Sequence, residues 1–359
     1  VSVVVPAYNE AKVIERTISS VLASQGVDVE VIVLDDGSKD RTGDVVASRF
    51  HRDPRVRLVR LPNGGKAGAL NLGFKLATHP VVVALDADTI FLPTTIFELV
   101  RRFDDERVAA VAGRAVVGNV TGTMARWQAL EYVIGQAVER RAWHVFGLVS
   151  VVPGAVGAWR RDAVIEAGGF ARDTLAEDSD LTIDLQVRGW RVDYAPDAVA
   201  LTEAPETVRA LVKQRYRWSY GVLQALWKHR KTAARTKNRR VGLFLLPTVL
   251  VAHLATPLFA PAADLAAGIA LYLGYSTALI PFAIASLVFD LALTIFAMRL
   301  DRAPAKMAWD WILHRAVYRW ILFFALVRAM FAALRGGPMG WGKLARTGTV
   351  RLPPQGATV

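Results

Sequence analysis

Four short strand-like runs, each closed by a polar or turn-forming cluster, constrain this chain more than any other feature. Val1 to Val5 is stopped by Pro6 and followed by Tyr8-Asn9-Glu10. Val29 to Leu34 runs into Asp35-Asp36-Gly37-Ser38, Val56 to Leu61 meets Pro62-Asn63-Gly64-Gly65, and Val81 to Leu85 ends at Asp86-Ala87-Asp88. Mostly apolar runs such as Val1 to Val5 and Val29 to Leu34 suit buried strands, and Val56 to Leu61, with Arg57 and Arg60, reads as a third strand. Helical spacing fills the gaps: Val13, Ile14, Ile18, Val21 and Leu22 share a face over residues 10–24, Asp40 stands where it can cap a second helix, and Lys66 to Ala77 reads as a third. Alternating strands and helices predict an α/β fold, a Rossmann-like mostly parallel sheet with helices on both sides. Such sheets bind ligands at the carboxyl ends of their strands, which is where all four polar clusters fall.

The next hundred residues are more mixed. Val108 to Val117 reads as a strand, a helix carries Trp127 and Tyr132, Pro153-Gly154 leads through a loop into a strand at Trp159, Ser179 to Val187 is helical, and a helix over 205–228 holds Gln214, Arg217 and Trp218. Together, residues 1–228 are expected to form one domain.

Beyond a basic linker at 229–241 the character changes. A membrane span needs about 20 apolar residues. One apolar segment covers about 242–260 and a second lies within 264–298, so about two crossings are expected in 242–298. A third segment, 309–335, carries His314, Arg315, Arg319 and Arg328 among Trp309, Trp311, Trp320 and Phe323. Charge at mid-bilayer is costly, so this segment reads as an amphipathic helix in the interface. The net charge of +12 includes Lys228, Arg230, Lys231, Arg235, Lys237, Arg239 and Arg240, clustered just before the first apolar run. That is the positive-inside pattern and predicts a multi-pass protein of the cell membrane with a cytoplasmic catalytic domain. No nucleic-acid motif accompanies the charge, so no nucleic-acid partner is expected. With no cysteine in the chain, disulfides, thiolate metal sites and a thiol nucleophile are excluded. Val1 opens inside a strand pattern with no initiator Met, so residues upstream are expected.

The chemistry lies in the strand-end clusters and two helices. Asp86 and Asp88 can hold Mg²⁺ or Mn²⁺ through oxygen, and the metal a diphosphate; a solvated turn is the bland alternative. Asp35 and Asp36 can accept hydrogen bonds from a base or ribose, or simply cap a helix. Lys66, after two glycines, can bring a cation to phosphate, or be an exposed turn lysine. Glu177-Asp178-Ser179-Asp180 suits a helix N-terminus by the macrodipole alone; functionally, Asp178 would be a general base. Arg217 is either surface charge or a diphosphate contact, and Trp218 either packs or offers a face to a sugar ring.

The ordered set VPAYNE, LDDGSKD, GGKAGALN, ALDAD, AEDSDL and QRYRW resembles the processive family-2 glycosyltransferases, which include the cellulose, chitin, hyaluronan and poly-N-acetylglucosamine synthases, the last and the nodulation chitooligosaccharide synthase being the nearest in look. The resemblance runs from Val1 to Trp218 and touches WGKLARTG at 341–348. It implies a GT-A catalytic domain followed by transmembrane and interfacial helices. It also implies an inverting hexosyltransferase that uses a UDP-sugar, UDP-N-acetylglucosamine by the nearest relatives, to extend a β-linked glycan. Tyr8 and Glu10 would lie at the nucleobase, Asp36 and Asp35 on the uridine, Lys66 and Asp86 on the donor, and Asp88 on the metal. Asp178 would be the base, with Glu177 and Trp218 on the acceptor side. Gln214, Arg217 and Trp218 match the family's Gln-x-x-Arg-Trp signature, and Trp341 and Lys343, within the tail 336–359, match a loop that closes over the donor.

Three departures stand out. Ala176 replaces the family's Thr before Glu177-Asp178, the N-terminal span most members carry is absent, and the chain ends soon after WGKLARTG. A translocation channel would need upstream spans, a small membrane partner or a homo-oligomer. Two other readings share these motifs: transfer of a single sugar to a lipid carrier, and an inactive nucleotide-sugar-binding scaffold of an export complex. The Gln-x-x-Arg-Trp signature favours elongation over the first, and retention of every carboxylate argues against the second.

Overall fold

The computed structural model describes residues 1–235, 238–274, 276–335 and 348–350. Eight strands form one sheet: β1 (Ser2–Ala7), β2 (Glu30–Asp36), β3 (Val56–Leu61), β4 (Val81–Ala84), β5 (Ile90–Phe91), β6 (Val108–Val117), β7 (Gly157–Arg160) and β8 (Arg191–Thr202). Their order across the sheet is β3-β2-β1-β4-β7-β6-β8-β5. The four predicted strands β1 to β4 are mutually parallel neighbours. β7 then runs antiparallel to both β4 and β6, β6 pairs parallel with β8, and β5 antiparallel with β8. The sheet is therefore parallel-dominant but mixed, and the reversal at β7 brings the loop before it onto the rim formed by β1, β2 and β4.

Both faces are buried over β1, β2 and β4, whereas the edge strand β3 leaves Arg57 and Arg60 exposed. Val3 and Val5 join the core beneath Ile14, Ile18 and Val21, while Val4 joins the opposite core with Leu70 and Phe74. Ile14 and Ile18 have no exposure at all, each stabilising the fold by about 1.5–3 kcal/mol relative to exposure. The helix Lys66–Leu76 lies so close over β1 that a Cβ on Gly73 would come 2.4 Å from a Val4 methyl. One detail of the sequence reading shifts: the second helix, Thr42–Phe50, has Arg41 at its cap position. Asp40, one residue earlier, still accepts from the Thr42 N–H at 3.0 Å.

Three helical stretches follow that are long and apolar enough to cross a membrane: Val241–Tyr272, Leu279–Leu300 and Ala305–Arg335. The first is longer than its sequence suggested, continuing through Tyr272 to a turn at Gly274, whose φ of 92° suits glycine. The third also has the necessary length and apolarity, and two of its charges have carboxylate partners. Arg315 bonds Asp290 at 3.0 Å and Asp264 at 2.6 Å, and Arg319 bonds Asp290 at 2.7 Å. The second apolar helix is fastened to the catalytic domain at its C-terminal end, where Arg141 reaches Asp301 at 2.7 Å and Arg114 donates to the Asp301 carbonyl at 3.2 Å. Cations there also complement the helix dipole. Of the basic residues ahead of the first apolar helix, Lys228 is bound within the catalytic domain, to Asp173 at 3.1 Å and Asp180 at 3.0 Å, and so does not count toward a free juxtamembrane charge.

Candidate active site

The rim above β1, β2 and β4 opens into a cavity of about 570 Å³. Of the residues expected there, Tyr8, Glu10, Asp36, Lys66, Asp86, Asp88, Glu177, Asp178, Gln214, Arg217 and Trp218 all line it. Asp35 does not: it is buried beside the cavity, where it accepts from the Ser38 N–H at 3.1 Å and would be struck by any side chain on Gly43. Trp341 and Lys343 lie outside the described residues. Gly348, the first described residue after them, donates its N–H to Glu203 at 2.9 Å, and Glu203 lines the cavity.

Lys66 organises the centre. It opens its helix directly after Gly65, whose φ of 80° only glycine adopts freely. Its ammonium lies 2.7 Å from Asp86 and 3.1 Å from Glu177. Burial alone would lower the Lys66 pKa, but Asp86, Glu177 and Asp178 outweigh it and hold the group above its ordinary value, so the cation is fixed. Asp178 sits at the start of the helix Glu177–Val187. Its carboxylate accepts from the N–H groups of Ser179 at 2.8 Å and Gly154 at 3.1 Å. Burial, and next the Glu177 charge, push Asp178 up to about 6 against the pull of Lys66 and those two N–H groups. A carboxylate tuned toward neutrality at a cavity wall suits proton abstraction.

The donor side is held by backbone. Both oxygens of Asp36 are used, accepting from Gly64 N–H at 2.7 Å and Gly65 N–H at 2.9 Å. Asp36 thus pins the glycine turn that delivers Lys66. Asp86 and Asp88 stand together at the end of β4, with Asp88 almost wholly buried. Among the described residues no group of three or more His, Cys, Asp or Glu gathers as a metal site. The protein would therefore supply one or two carboxylates, which fits Mg²⁺ or Mn²⁺ when phosphate oxygens and water complete the shell.

The long helix Val208–Arg235 forms the far wall. It can approach because Gly221 meets Ala176: a Cβ on Gly221 would fall 2.6 Å from that of Ala176. Gln214 is buried and its Oε1 has no hydrogen-bond partner among the described residues, so it is available to a ligand donor. Trp218 lines the cavity with the Arg215 guanidinium 4.3 Å over its ring, and Arg215 is itself held by Glu131 at 2.5 Å and Tyr318 at 3.3 Å. Sequence reasoning missed this second layer, and also Gln136, Arg140 and His253, which line the same cavity. His253 comes from the first apolar helix, a juxtaposition with no local signal. The π turn Gly135–Arg140 that presents Gln136 and Arg140 is equally invisible in periodicity, although such turns concentrate at functional sites.

A parallel-dominant sheet with acidic strand ends, a buried lysine and a carboxylate at an opposing helix start defines the GT-A glycosyltransferase architecture. Residues 2–164 match Glycosyl transferase family 2, so this stretch carries a domain of that family. It is 32% identical over 240 residues to the poly-beta-1,6-N-acetyl-D-glucosamine synthase of Staphylococcus aureus, covering 67% of this chain and 58% of the relative. The corresponding synthase of Staphylococcus epidermidis is 29% identical over 248 residues, 68% of this chain and 60% of the relative. The chain thus spans less than two thirds of the length of these relatives. Among solved structures it is similar to the mannosyltransferase PcManGT from Pyrobaculum calidifontis in complex with GDP-Man and Mn2+, with a TM-score of 0.66, 24% identity, and coverage of 92% of this chain and 86% of that one. A second is S. aureus TarS 1-349, with a TM-score of 0.50, 16% identity, and coverage of 94% and 91%. At these identities the two structures speak to fold alone.

Proposed function

We propose that this protein is a membrane-bound, inverting glycosyltransferase that moves a sugar from a UDP-sugar, UDP-N-acetylglucosamine by its staphylococcal relatives, to the end of a growing β-linked glycan. The observation that carries the reading is the placement of Asp178 in one cavity with Lys66, Asp86 and Asp88. Tyr8 and Glu10 receive the base and Asp36 holds the turn beneath it. Lys66 and Arg217 bring positive charge to the diphosphate, and Gln214 offers its unpaired carbonyl. Asp88, with Asp86, would hold Mg²⁺ or Mn²⁺, which when bound neutralises charge on the leaving diphosphate. Asp178 takes the proton of an acceptor hydroxyl, whose oxygen attacks the anomeric carbon opposite the departing nucleoside diphosphate, inverting its configuration. Glu177 and Trp218 stand on the acceptor side.

The same reading puts the catalytic domain in the cytoplasm with its active site against the membrane. His253, from the first apolar helix, lines the cavity, so the acceptor wall is partly membrane helix. Gly348–Val350 is bonded to the catalytic domain through Glu203 and Arg16. The chain must therefore return to the side it left, which favours an even number of crossings between residues 241 and 335. The helix Ala305–Arg335 lies along the catalytic domain, with Tyr318 on Glu131 at 2.6 Å and Arg126 on Asp310 at 3.2 Å.

The test is UDP release and product sizing in nanodiscs, with UDP-sugars and GDP-mannose offered in turn, with Mg²⁺, Mn²⁺ or chelator. Metal-dependent release with one UDP-sugar, long products, and loss of both in Asp178→Asn are expected. Products one sugar long on a lipid would replace polymer synthesis by single transfer. Donor binding without release, unaffected by Asp178→Asn, would overturn enzymatic function.

A further inference from the structure

Behind the Trp218 wall, three distant parts of the chain meet in one closed set of hydrogen bonds. Glu131, on the helix Thr123–Ile134, places its Oε2 between two donors, the Arg215 guanidinium at 2.5 Å and the Tyr318 hydroxyl at 2.6 Å. Arg215 also donates to the Tyr318 oxygen at 3.3 Å, so each of the three side chains touches the other two. Glu131 and Arg215 line the active-site cavity, whereas Tyr318 stands outside its lining and has no exposure. The Tyr318 ring is held by packing, stacked on His314 with centroids 4.9 Å apart and set edge-on to Trp127 at 6.1 Å. It closes the π turn His314–Tyr318 of the third apolar helix, an irregularity of the kind that concentrates at functional sites.

Arg215 joins this cluster to the cavity surface. Arg215 and Trp218 are one helical turn apart on the helix Val208–Arg235 and so share a face, and the guanidinium lies 4.3 Å over the indole ring. One face of Trp218 is therefore covered by a cation, while the ring stays 37% exposed where it lines the cavity. The guanidinium plane has two fixed points, the Glu131 carboxylate and the Tyr318 oxygen. With the first alone it could pivot about a single oxygen, and the indole beneath it would tilt with it. We infer that Tyr318 is a positioning residue for the acceptor: its hydroxyl fixes the Arg215 guanidinium, which sets the tilt of the Trp218 ring against which a sugar would stack. That role rests on the proposed place of Trp218 on the acceptor side. It gives the third apolar helix a part in substrate binding although none of its residues lines the cavity.

Tyr318→Phe removes the hydroxyl and keeps the packed ring, and two measurements on the full chain in detergent test its effect. In the first, the tryptophans are replaced by 5-fluorotryptophan, and the fluorine resonance missing from Trp218→Phe belongs to Trp218. It should shift or broaden in Tyr318→Phe, while that of the exposed Trp227, assigned in the same way, stays. In the second, transfer from saturating UDP-N-acetylglucosamine to a β-linked N-acetylglucosamine trimer is followed. The acceptor KM should rise about tenfold, equivalent to about 1.4 kcal/mol, with kcat and the donor KM near those of the wild type. Glu131→Gln should also raise the acceptor KM, and Tyr318→Phe/Glu131→Gln should raise it no further than the worse single variant, because both act through one contact. Damage to packing alone would lower the unfolding temperature and leave the acceptor KM where it was. An unmoved Trp218 resonance, an unchanged acceptor KM or additive effects in the double variant would each overturn the proposal. Were the wild type to transfer nothing, the acceptor role would fall with the catalytic reading, and the Trp218 resonance would still show whether Tyr318 sets that ring.

Discussion

The N–H of Gly154 donates to the carboxylate of Asp178 at 3.1 Å, and the space where a Gly154 side chain would stand is taken by Lys66, whose Nζ would lie 2.6 Å from a Cβ. One glycine therefore touches both the expected base and the donor-side cation. The end of a lysine can usually move aside, but this one is fixed between Asp86 and Glu177. Gly154→Ala should push Lys66 off those carboxylates while leaving the fold intact. A displacement of about 1 Å at reacting groups can cost about a hundredfold, and a loss of that order in kcat/KM, with unchanged thermal stability, is expected. Wild-type kinetics in this variant would mean that Lys66 is not held where the diphosphate lies.

The pKa of Asp178 predicts two pH trends of opposite sign. Only the carboxylate can accept a proton, so transfer should fall about tenfold per pH unit below about 6 and level off above it. For stability, the folded pKa of about 6 lies above the ordinary value of 3.8. The folded state thus binds its proton more tightly, and this group's contribution is fully present below the ordinary value and lost as pH rises through the folded one. Asp178→Asn, which does not titrate, should abolish transfer and flatten that part of the stability profile. Thermal unfolding across pH, wild type against variant, checks the second trend; parallel profiles would mean that Asp178 titrates as an ordinary carboxylate.

Asp36 makes a different prediction because both its oxygens are spent on the Gly64 and Gly65 N–H groups. Hydrogen bonds to a charged group contribute about 1.5–3 kcal/mol. Asp36→Ala should therefore lower stability by about that much and weaken UDP binding through a loosened turn. Asp36→Asn, keeping one acceptor, should fall between. Calorimetric UDP titration of the two variants separates this from a purely direct contact, for which turn order, read by amide exchange at Gly64 and Gly65, would not change.

How much of this was legible depended on range. The strands β1, β2 and β4 could be read because burial on both faces leaves a nearly continuous apolar run, β3 by the glycine turn that closes it, and the residues on one rim follow from the parallel order. Asp178, Gln214 and Trp218 could be placed only by motif resemblance, since nothing local says that their helices face β4. Arg215 and Glu131 were illegible for a related reason: their bond joins positions 84 residues apart, and each alone looks like a surface charge on a helix. Asp264 and Asp290 of the apolar helices are illegible because a lone charge there carries no sign of its partner. Arg315 and Arg319 of the third segment likewise carry no local sign of the carboxylates they bind.

Those partners give the last prediction. Asp290, on the second apolar helix, takes bonds from Arg315 at 3.0 Å, Arg319 at 2.7 Å and the Trp311 indole at 3.0 Å, all on the third. Asp264, on the first, takes Arg315 at 2.6 Å. Two carboxylates and two guanidinium groups thus join three helices in surroundings otherwise apolar. Removing one member leaves the others desolvated and short of a partner, a loss that costs about 3–5 kcal/mol in buried pairs, whereas replacing a whole network with apolar side chains of similar size is often neutral. Asp290→Leu should therefore lower the unfolding temperature in detergent sharply, and Asp264→Leu/Asp290→Leu/Arg315→Met/Arg319→Met should recover most of the loss. Tryptophan fluorescence during heating reads both. If the single variant is harmless, the cluster is hydrated and contributes little. If the quadruple variant is worse than the single one, the charges serve the helices through something other than each other, such as lipid headgroups or water, and the pairing is not what holds the three helices together.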